Sequence, residues 1–347
     1  MAYAGVVDDL RACTEFRKPS RIPVFALGLE FDLHVGGVTC GESRTNVEKT
    51  VRCTAEMVER FDYDWAVVFP DDYIEFEPLG LRMNEDENLP TMPKEYLAFA
   101  RGTLRRLRIP DAEREMRLPI QLEMIRSVRA ALGDSVCVVG RIAAPFSSIA
   151  LVYGVEATLI GMLEAQELIR ENLEFFVEHQ SAFGQAQIEA GADVLWLGDC
   201  VAGSRFISAE QYAKFAFEPA ARVAENMAKA GGMVIYHTAE TSAEHVRLQA
   251  ELPVDAVNLG EGVSIAEMKA RLAVRRCLMG NFDPMLLRDG SADAVAEATE
   301  RMMRENARGG GYVFNTGEGI MVGTPEKNVE AMMATAKRLA GQVQDGT

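Results

Sequence analysis

No apolar run in the 347-residue sequence approaches the roughly 20 residues that a membrane-spanning helix requires, so no transmembrane segment is expected. The N-terminal stretch MAYAGVVDDLRACTEF has no apolar core of the kind a secretory leader needs and carries acids early, which argues against a signal peptide. Cysteine is sparse. Cys13, Cys40, Cys53, Cys137, Cys200 and Cys277 are scattered and form no CxxC, so they read as reduced thiols of a cytoplasmic protein, not as a disulfide framework. Positive charge is also scarce, with 36 Lys and Arg against 52 Asp and Glu, a formal net charge of -16 and a pI near 4.9. Such a surface repels phosphate backbones and excludes non-specific nucleic-acid binding, while leaving room for a partner protein with a basic face. There is no Pro/Ser-rich linker, low-complexity tract or close repeat, and composition leaves the oligomeric state open, a homodimer included.

What the sequence does contain is an alternation. Eight short apolar or β-branched runs have Gly, Asp, Asn or His toward their ends and are followed by helical patterns: 23–28, 65–72, 136–142, 193–199, 233–240, 255–261, 277–283 and 312–319. Continuous apolar runs are what strands of a parallel sheet buried on both faces require. Helix punctuation agrees. Ser208 stands as N-cap before AEQYAKFAFEPAARVAENMAKA, which stops at Gly231-Gly232. Thr324 is expected to cap a helix with Pro325 in its first turn, and the stretch 156–191 reads as two helices or one long broken one. Eight such units, with no GxGxxG after the first run, predict an α/β protein of the (β/α)8 TIM-barrel class and not an open doubly wound sheet. The 48% hydrophobic content suits one domain over 1–347, with an N-terminal helical extension (about 1–22) and a rim insertion (about 73–118) poised as a lid.

In such barrels the chemistry sits at the carboxyl ends of the strands. Those positions hold Gly28, Glu30, Asp71, Asp72, Arg141, Asp199, His237, Glu240, Asn258, Glu261, Asn281, Asp283, Asn315 and Glu318. Asp72, Glu240 and Glu261 are equally suited to capping the next helix or facing solvent. His237 follows MVIY directly and is expected to project at the barrel mouth, whereas His34, His179 and His245 lie in loop or helix contexts and are read as structural. Glu318 is flanked by Gly317 and Gly319, which free its carboxylate to point inward. Asp71, Asp199, His237, Asn281 and Glu318 are expected to share one cavity, with His237, Glu318 and Asp199 catalytic and Asp71, Arg141, Asn258, Asn281, Asp283 and Asn315 binding substrate. The segment Asp32-Leu33-His34-Val35-Gly36-Gly37 fits DxHxxG, a pattern by which cobalamin domains give a histidine to cobalt. Its context is wrong, since a barrel strand follows where a corrinoid domain would place its own sheet.

The chain resembles the uroporphyrinogen decarboxylase superfamily over nearly its whole length. The pieces are RIPV (21–24), VVFPDD with FEPLGL (67–81), GRIAAPFSS (140–148), GADVLWLGD with SAEQYAKFAFEP (191–219), GNFDPMLL (280–287) and FNTGEGIMVGTPEKNVEAM (314–332). The resemblance implies a (β/α)8 barrel and two candidate chemistries. True decarboxylases carry two arginines after the first strand, in a segment like RQAGRY. Here that segment reads LGLEFDLHV, with Glu30 and Asp32 in place of the arginines, and an acidic mouth would repel an octacarboxylate even though Asp71 matches the family's acidic residue. The other branch is the corrinoid-dependent methyltransferases, whose thiol-methylating members bind zinc through His-x-Cys and a distant Cys. This sequence has His237-Thr238-Ala239 and Glu318, so the histidine is kept and both thiolates are gone. A harder Zn2+ site of His237 and Glu318, with or without Asp199, is one option, and a metal-free site in which His237 and Glu318 donate protons or hydrogen bonds is the other.

The resemblance therefore implies a methyltransferase that passes a methyl group between a small molecule and the cobalt of a separate corrinoid protein. The small molecule is either a methoxy or methylamine-type donor or tetrahydrofolate as acceptor. The alternative is a decarboxylase of a small carboxylated substrate.

Overall fold

The computed structural model describes residues 3–68, 70–272, 276–307 and 310–342. Nine strands form among them: β1 (Trp65–Val67), β2 (Arg82–Met83), β3 (Pro93–Glu95), β4 (Cys137–Ala143), β5 (Val194–Gly198), β6 (Met233–Glu240), β7 (Ala256–Leu259), β8 (Cys277–Phe282) and β9 (Tyr312–Thr316). Seven of them make one curled parallel sheet in the order β1-β4-β5-β6-β7-β8-β9, a half-barrel with helices between successive strands. Every residue of β5 to β9 is buried, as strands sandwiched between a filled interior and covering helices must be. Trp65 anchors the interior. It stacks on Phe25 at 4.4 Å, meets Trp196 edge-on at 5.9 Å, and donates its indole N–H to the Ala26 carbonyl at 2.8 Å.

The expected first strand, 23–28, takes a different form. It makes one parallel bridge, Val24 to Phe314 on β9, and one backbone bond to the other side, from Asp64 N to Val24 O at 3.1 Å. The reason lies in its donors. Pro23 has none, the Val24 N–H goes to the Asp64 carboxylate at 2.8 Å, and the Leu27 N–H goes to the Thr316 hydroxyl at 3.2 Å. Side chains have replaced the ladder partners, so the segment lies beside β9 and β1 without forming a regular strand.

The expected second strand is likewise shorter, ending at Val67 ahead of Pro70; Phe69, inside the expected range, lies outside the described residues. Ser208 caps its helix as expected, in a capping box with Gln211. Thr324 does not cap. Pro325 occupies the N-cap with extended backbone, the helix runs Glu326–Ala340, and the Thr324 hydroxyl is buried without a partner. The stretch after Gly154 resolves into two helices, Val155–Glu164 and Gln166–Glu189. The insertion after β1 holds the antiparallel pair β2–β3 and a short helix, Arg101–Leu104. Among the described residues no single helix is long and apolar enough to cross a membrane.

Asp64 holds this arrangement together. It has no solvent exposure, and its carboxylate takes Arg21 at 2.6 Å, Lys337 at 2.6 Å and the Val24 N–H. Removing one member of a buried ionic cluster strands the others, at a cost of about 3–5 kcal/mol. Asp64→Ala should therefore lose about that much in urea denaturation; a loss below about 1 kcal/mol would show that the cluster is dispensable.

Candidate active site

His237 owes its position to β6. The strand pairs in register with β5 (Gly198 opposite His237) and β7 (His237 opposite Asn258), and the register then shifts between His237 and Glu240. An irregularity at a strand end re-aims the side chains around it. The His237 ring is 4% exposed, lies 4.8 Å from the Trp196 ring, and brings Nε2 to 3.4 Å from a Glu318 carboxylate oxygen. Glu318 comes from the turn after β9, which the Gly317 N–H ties to Phe282 O at 2.9 Å and the Ile320 N–H ties to Leu27 O at 2.7 Å. Gly317 is required there, because a Cβ would sit 2.8 Å from the Glu261 backbone nitrogen.

The electrostatics follow from these contacts. Burial works against a charged imidazole, but the influence of nearby Cys200 and of the Glu318 carboxylate outweighs it and pushes His237 up to about 9. Burial likewise raises Glu318, yet the hydrogen bond and charge of His237 win and hold its carboxyl below the usual range. At neutral pH the two form an imidazolium–carboxylate pair, buried on the histidine side and half-exposed on the glutamate side. Behind the ring, Asn258 Nδ2 faces His237 Nδ1 at 3.3 Å and reaches Thr316 O and Gly317 O at 3.4 and 3.3 Å. Asn315 donates to Asn258 Oδ1 at 2.9 Å and so fixes that amide's orientation. The amide N–H opposes a second proton on Nδ1, while the sulfur and carboxylate favour it and prevail. Asn258 and Asn315 thus stand behind the pair as orienting groups, both with no solvent exposure.

A second polar group adjoins the first. Arg141, on β4, makes an ion pair with Asp72, and its guanidinium lies near buried Glu75. Glu75 is buried, accepts the Ala143 N–H at 3.0 Å, and is pushed by burial up to about 8 against the pull of Arg141, so it carries a proton at neutral pH. Neither Cys200 nor Glu75 was singled out by sequence. The available signal for Cys200 was its place, directly after Asp199 at the end of a strand; Glu75 gave none, lying within the insertion.

Several expected site residues are employed elsewhere. Asp199 has no exposure and directs its carboxylate to helix Pro145–Tyr153. It accepts Ser147 N at 3.1 Å, Ser147 Oγ at 2.7 Å and Tyr236 OH at 2.7 Å, while burial pushes its carboxyl up to about 6. Asp71 is taken by Arg117 at 2.6 Å and by the Tyr73 N–H at 2.7 Å, and Arg117 also grips Glu77. Asn281 donates to Gly260 O and Val263 O at 2.6 and 2.9 Å, holding the turn after β7. Asp283 caps helix Pro284–Asp289 through Met285 N at 2.7 Å. Glu240 accepts from Ser204, Thr241 and Ser242 and binds the loop after β5 to the next helix, whereas Glu261 lies 3.7 Å from Arg205. The DxHxxG segment is helical over Leu29–Val35, with His34 exposed and Asp32 bonded to the Tyr63 hydroxyl at 3.1 Å. The expected convergence of five residues thus reduces to His237 and Glu318, backed by Asn258 and Asn315.

Zinc was the metal option at this place. His237 and Glu318 offer one nitrogen and one oxygen, but the third expected ligand, Asp199, is bonded to Ser147 and Tyr236. Among the described residues no group of three His, Cys, Asp or Glu side chains is disposed to hold a metal ion. These residues do not fit a zinc ion.

Comparison with known proteins agrees with the architecture. The family model described as uroporphyrinogen decarboxylase (URO-D) matches residues 8–339. A uroporphyrinogen decarboxylase of Anaeromyxobacter dehalogenans is 30% identical over 304 residues, covering 82% of this chain and 84% of that protein. One from Methylobacillus flagellatus is 27% identical, covering 86% and 85%. Among solved structures, a methyltransferase from Methanosarcina mazei superposes with a TM-score of 0.83 at 21% identity, over 96% of this chain and 98% of that one. A B12-independent methionine synthase from Shewanella follows at a TM-score of 0.56 and 9% identity, over 85% and 88%.

The paired charges have a titration signature. A histidine whose folded pKa is raised stabilises the fold fully below its ordinary value of 6.5, and that stabilisation is lost as pH climbs through about 9. Proton NMR should therefore find His237 titrating near 9 and stability falling between pH 6.5 and 9. In Glu318→Gln the midpoint should drop by about one unit or more. A wild-type midpoint at 6.5, or no change in the variant, would contradict the pairing.

Proposed function

This chain belongs to the uroporphyrinogen decarboxylase family, and from that premise we propose that it is a corrinoid-dependent methyltransferase and not a porphyrinogen decarboxylase. The observation that carries the reading is the His237–Glu318 pair, an acid that keeps its proton at neutral pH beside a strand end. The family resemblance of the Methanosarcina methyltransferase fold supports it. So does the segment LGLEFDLHV, whose acids stand where a porphyrin-binding enzyme has arginines. Decarboxylation of a small carboxylated substrate, the alternative, needs Asp71 free to stabilise a cationic intermediate. Its carboxylate is already neutralised by Arg117. In the proposed reading, segment 23–28 completes a (β/α)8 barrel as its eighth member, and a separate corrinoid protein docks over the strand ends.

Docked there, the partner's corrinoid would supply the cobalt that takes or gives the methyl group. The chain's own task is the other end of the bond. Demethylating a methoxy or neutral methylamine-type donor leaves an alkoxide or an amide ion, which needs a proton as the methyl departs. His237 Nε2 carries that proton, and Glu318 stabilises the charged ring until transfer. Trp196 covers one side of the ring and limits its contact with water. The reverse role, with tetrahydrofolate as acceptor, relied on Asp199, Asn281 and Asn315 to bind the pterin. Asp199 and Asn281 are bonded to the fold itself, which favours the donor role.

The test is to mix the protein with a reduced corrinoid protein and a panel of methoxy aromatics and methylamines, following corrinoid absorbance. Methylation of cobalt that depends on this chain is expected, with a rate lowered about 100-fold or more in His237→Gln. Full turnover of any substrate without a corrinoid protein would overturn the assignment.

A further inference from the structure

A cavity of about 610 Å3 lies beside strand β1, bordered by helices Leu29–Val35, Val47–Phe61 and Leu118–Leu132. Its wall is largely apolar, from Leu33, Val51, Val58, Val67, Met124 and Val128, and neither His237 nor Glu318 lines it. Asp32, the acid of the DxHxxG segment, and Thr50 add polar groups that the fold uses incompletely. The Tyr63 hydroxyl donates to Asp32 Oδ1 at 3.1 Å, and Oδ2 has no donor among the described residues. No cation of the described residues pairs with this carboxyl, whereas Asp64, Asp71 and Asp72 each hold one. Gly28 leaves room for it, because a Cβ there would overlap Oδ2. Burial pushes the carboxyl up to about 7, against the pull of the Tyr63 hydroxyl. Thr50 is 8% exposed, and its hydroxyl has no partner. One turn on, Thr54 returns its hydroxyl to the Thr50 carbonyl at 3.0 Å, as a helical threonine can; Thr50 leaves its own unmatched beside the cavity.

We propose that this cavity binds a small primary alkylammonium ion, with its N–H groups on Asp32 and Thr50 and its chain against the valines. An ammonium has donors and no acceptor, which suits a carboxylate oxygen and a hydroxyl oxygen that both lack donors. It also brings the positive charge that Asp32 lacks, and a carboxylate withdrawn from water is costly until it is matched. An anionic ligand is repelled by Asp32, and an alcohol of the same shape leaves the charge uncompensated. The net charge of -16 draws cations to the protein in general, and the apolar wall selects those that carry a short hydrocarbon chain. The site is separate from the His237–Glu318 pair and does not rest on the methyltransferase reading.

The experiment titrates the intact protein with n-butylammonium chloride at about pH 8, where the amine keeps its proton and Asp32 has lost its own, and follows the methyl resonances of Val51, Val58 and Val128 by NMR. Saturable shifts are expected, with 1-butanol binding about tenfold or more weaker and sodium butyrate producing none. Asp32→Asn keeps an acceptor for Tyr63; it should weaken the ammonium about tenfold or more and leave 1-butanol unchanged. Thr50→Val removes a hydroxyl that nothing in the described fold uses, so it should keep or raise the unfolding midpoint and still weaken the ammonium. The wild-type comparison of ammonium with alcohol decides the matter even if a variant misfolds. Equal affinity for the two would overturn the proposal. So would shifts confined to His237 and its neighbours, no saturation (a cavity that holds only water), or an Asp32→Asn protein that binds the ammonium unchanged. None of these outcomes bears on methyl transfer, and failure to find methyl transfer leaves the ammonium site standing.

Discussion

One buried carboxylate joins the two ends of the fold. Asp64, immediately before β1, collects the Val24 N–H, the Arg21 guanidinium and the Lys337 ammonium from the C-terminal helix. A carboxylate without solvent exposure is tolerable only when its charge and lone pairs are matched, and here two cations and a backbone amide do so. The consequence is geometric. Val24 is fixed beside Phe314, and Leu27 comes within reach of Thr316 and Ile320. The turn that carries Glu318 lies between those two residues. Its approach to His237 thus depends on a contact at the far end of the segment.

The polar residues at the strand ends divide by how completely the fold uses them. Asp71, Asp199, Glu240, Asn281 and Asp283 each bond backbone amides or carbonyls, hydroxyls or a guanidinium, and they hold loops and helix starts in place. His237 meets Glu318 on one side and Asn258 on the other, and Glu318 stays half-exposed. Groups with unused capacity facing solvent can act on a substrate, whereas groups whose capacity is consumed define the shape in which the others act. Arg141 stands between these classes: it is paired with Asp72, which is itself partly open to solvent.

Much of this was legible in the sequence. Continuous apolar runs located seven parallel strands because burial on both faces leaves no other pattern, and the Ser208 cap followed from its capping box. That His237 and Glu318 approach one another was legible because an end-of-strand position and flanking glycines constrain where a side chain points. The failures share a cause. Segment 23–28 reads as a strand by hydropathy, but its amides are claimed by Asp64 and Thr316, distant residues that no local pattern reveals. Asp199 and Asp71 also read as site residues, and only tertiary contact shows Ser147, Tyr236 and Arg117 consuming them.

The central claim is that the His237–Glu318 pair does the chemistry while the other carboxylates near the strand ends build the scaffold. Corrinoid methylation rates and unfolding free energies, measured side by side for Glu318→Gln and Asp199→Asn, separate these roles most directly. We expect Glu318→Gln to lose about 100-fold or more in rate with little change in stability, and Asp199→Asn to lose about 1–3 kcal/mol of stability while a folded population keeps most of its rate. The reverse pattern, a stable but inactive Asp199→Asn beside an active Glu318→Gln, would contradict the account.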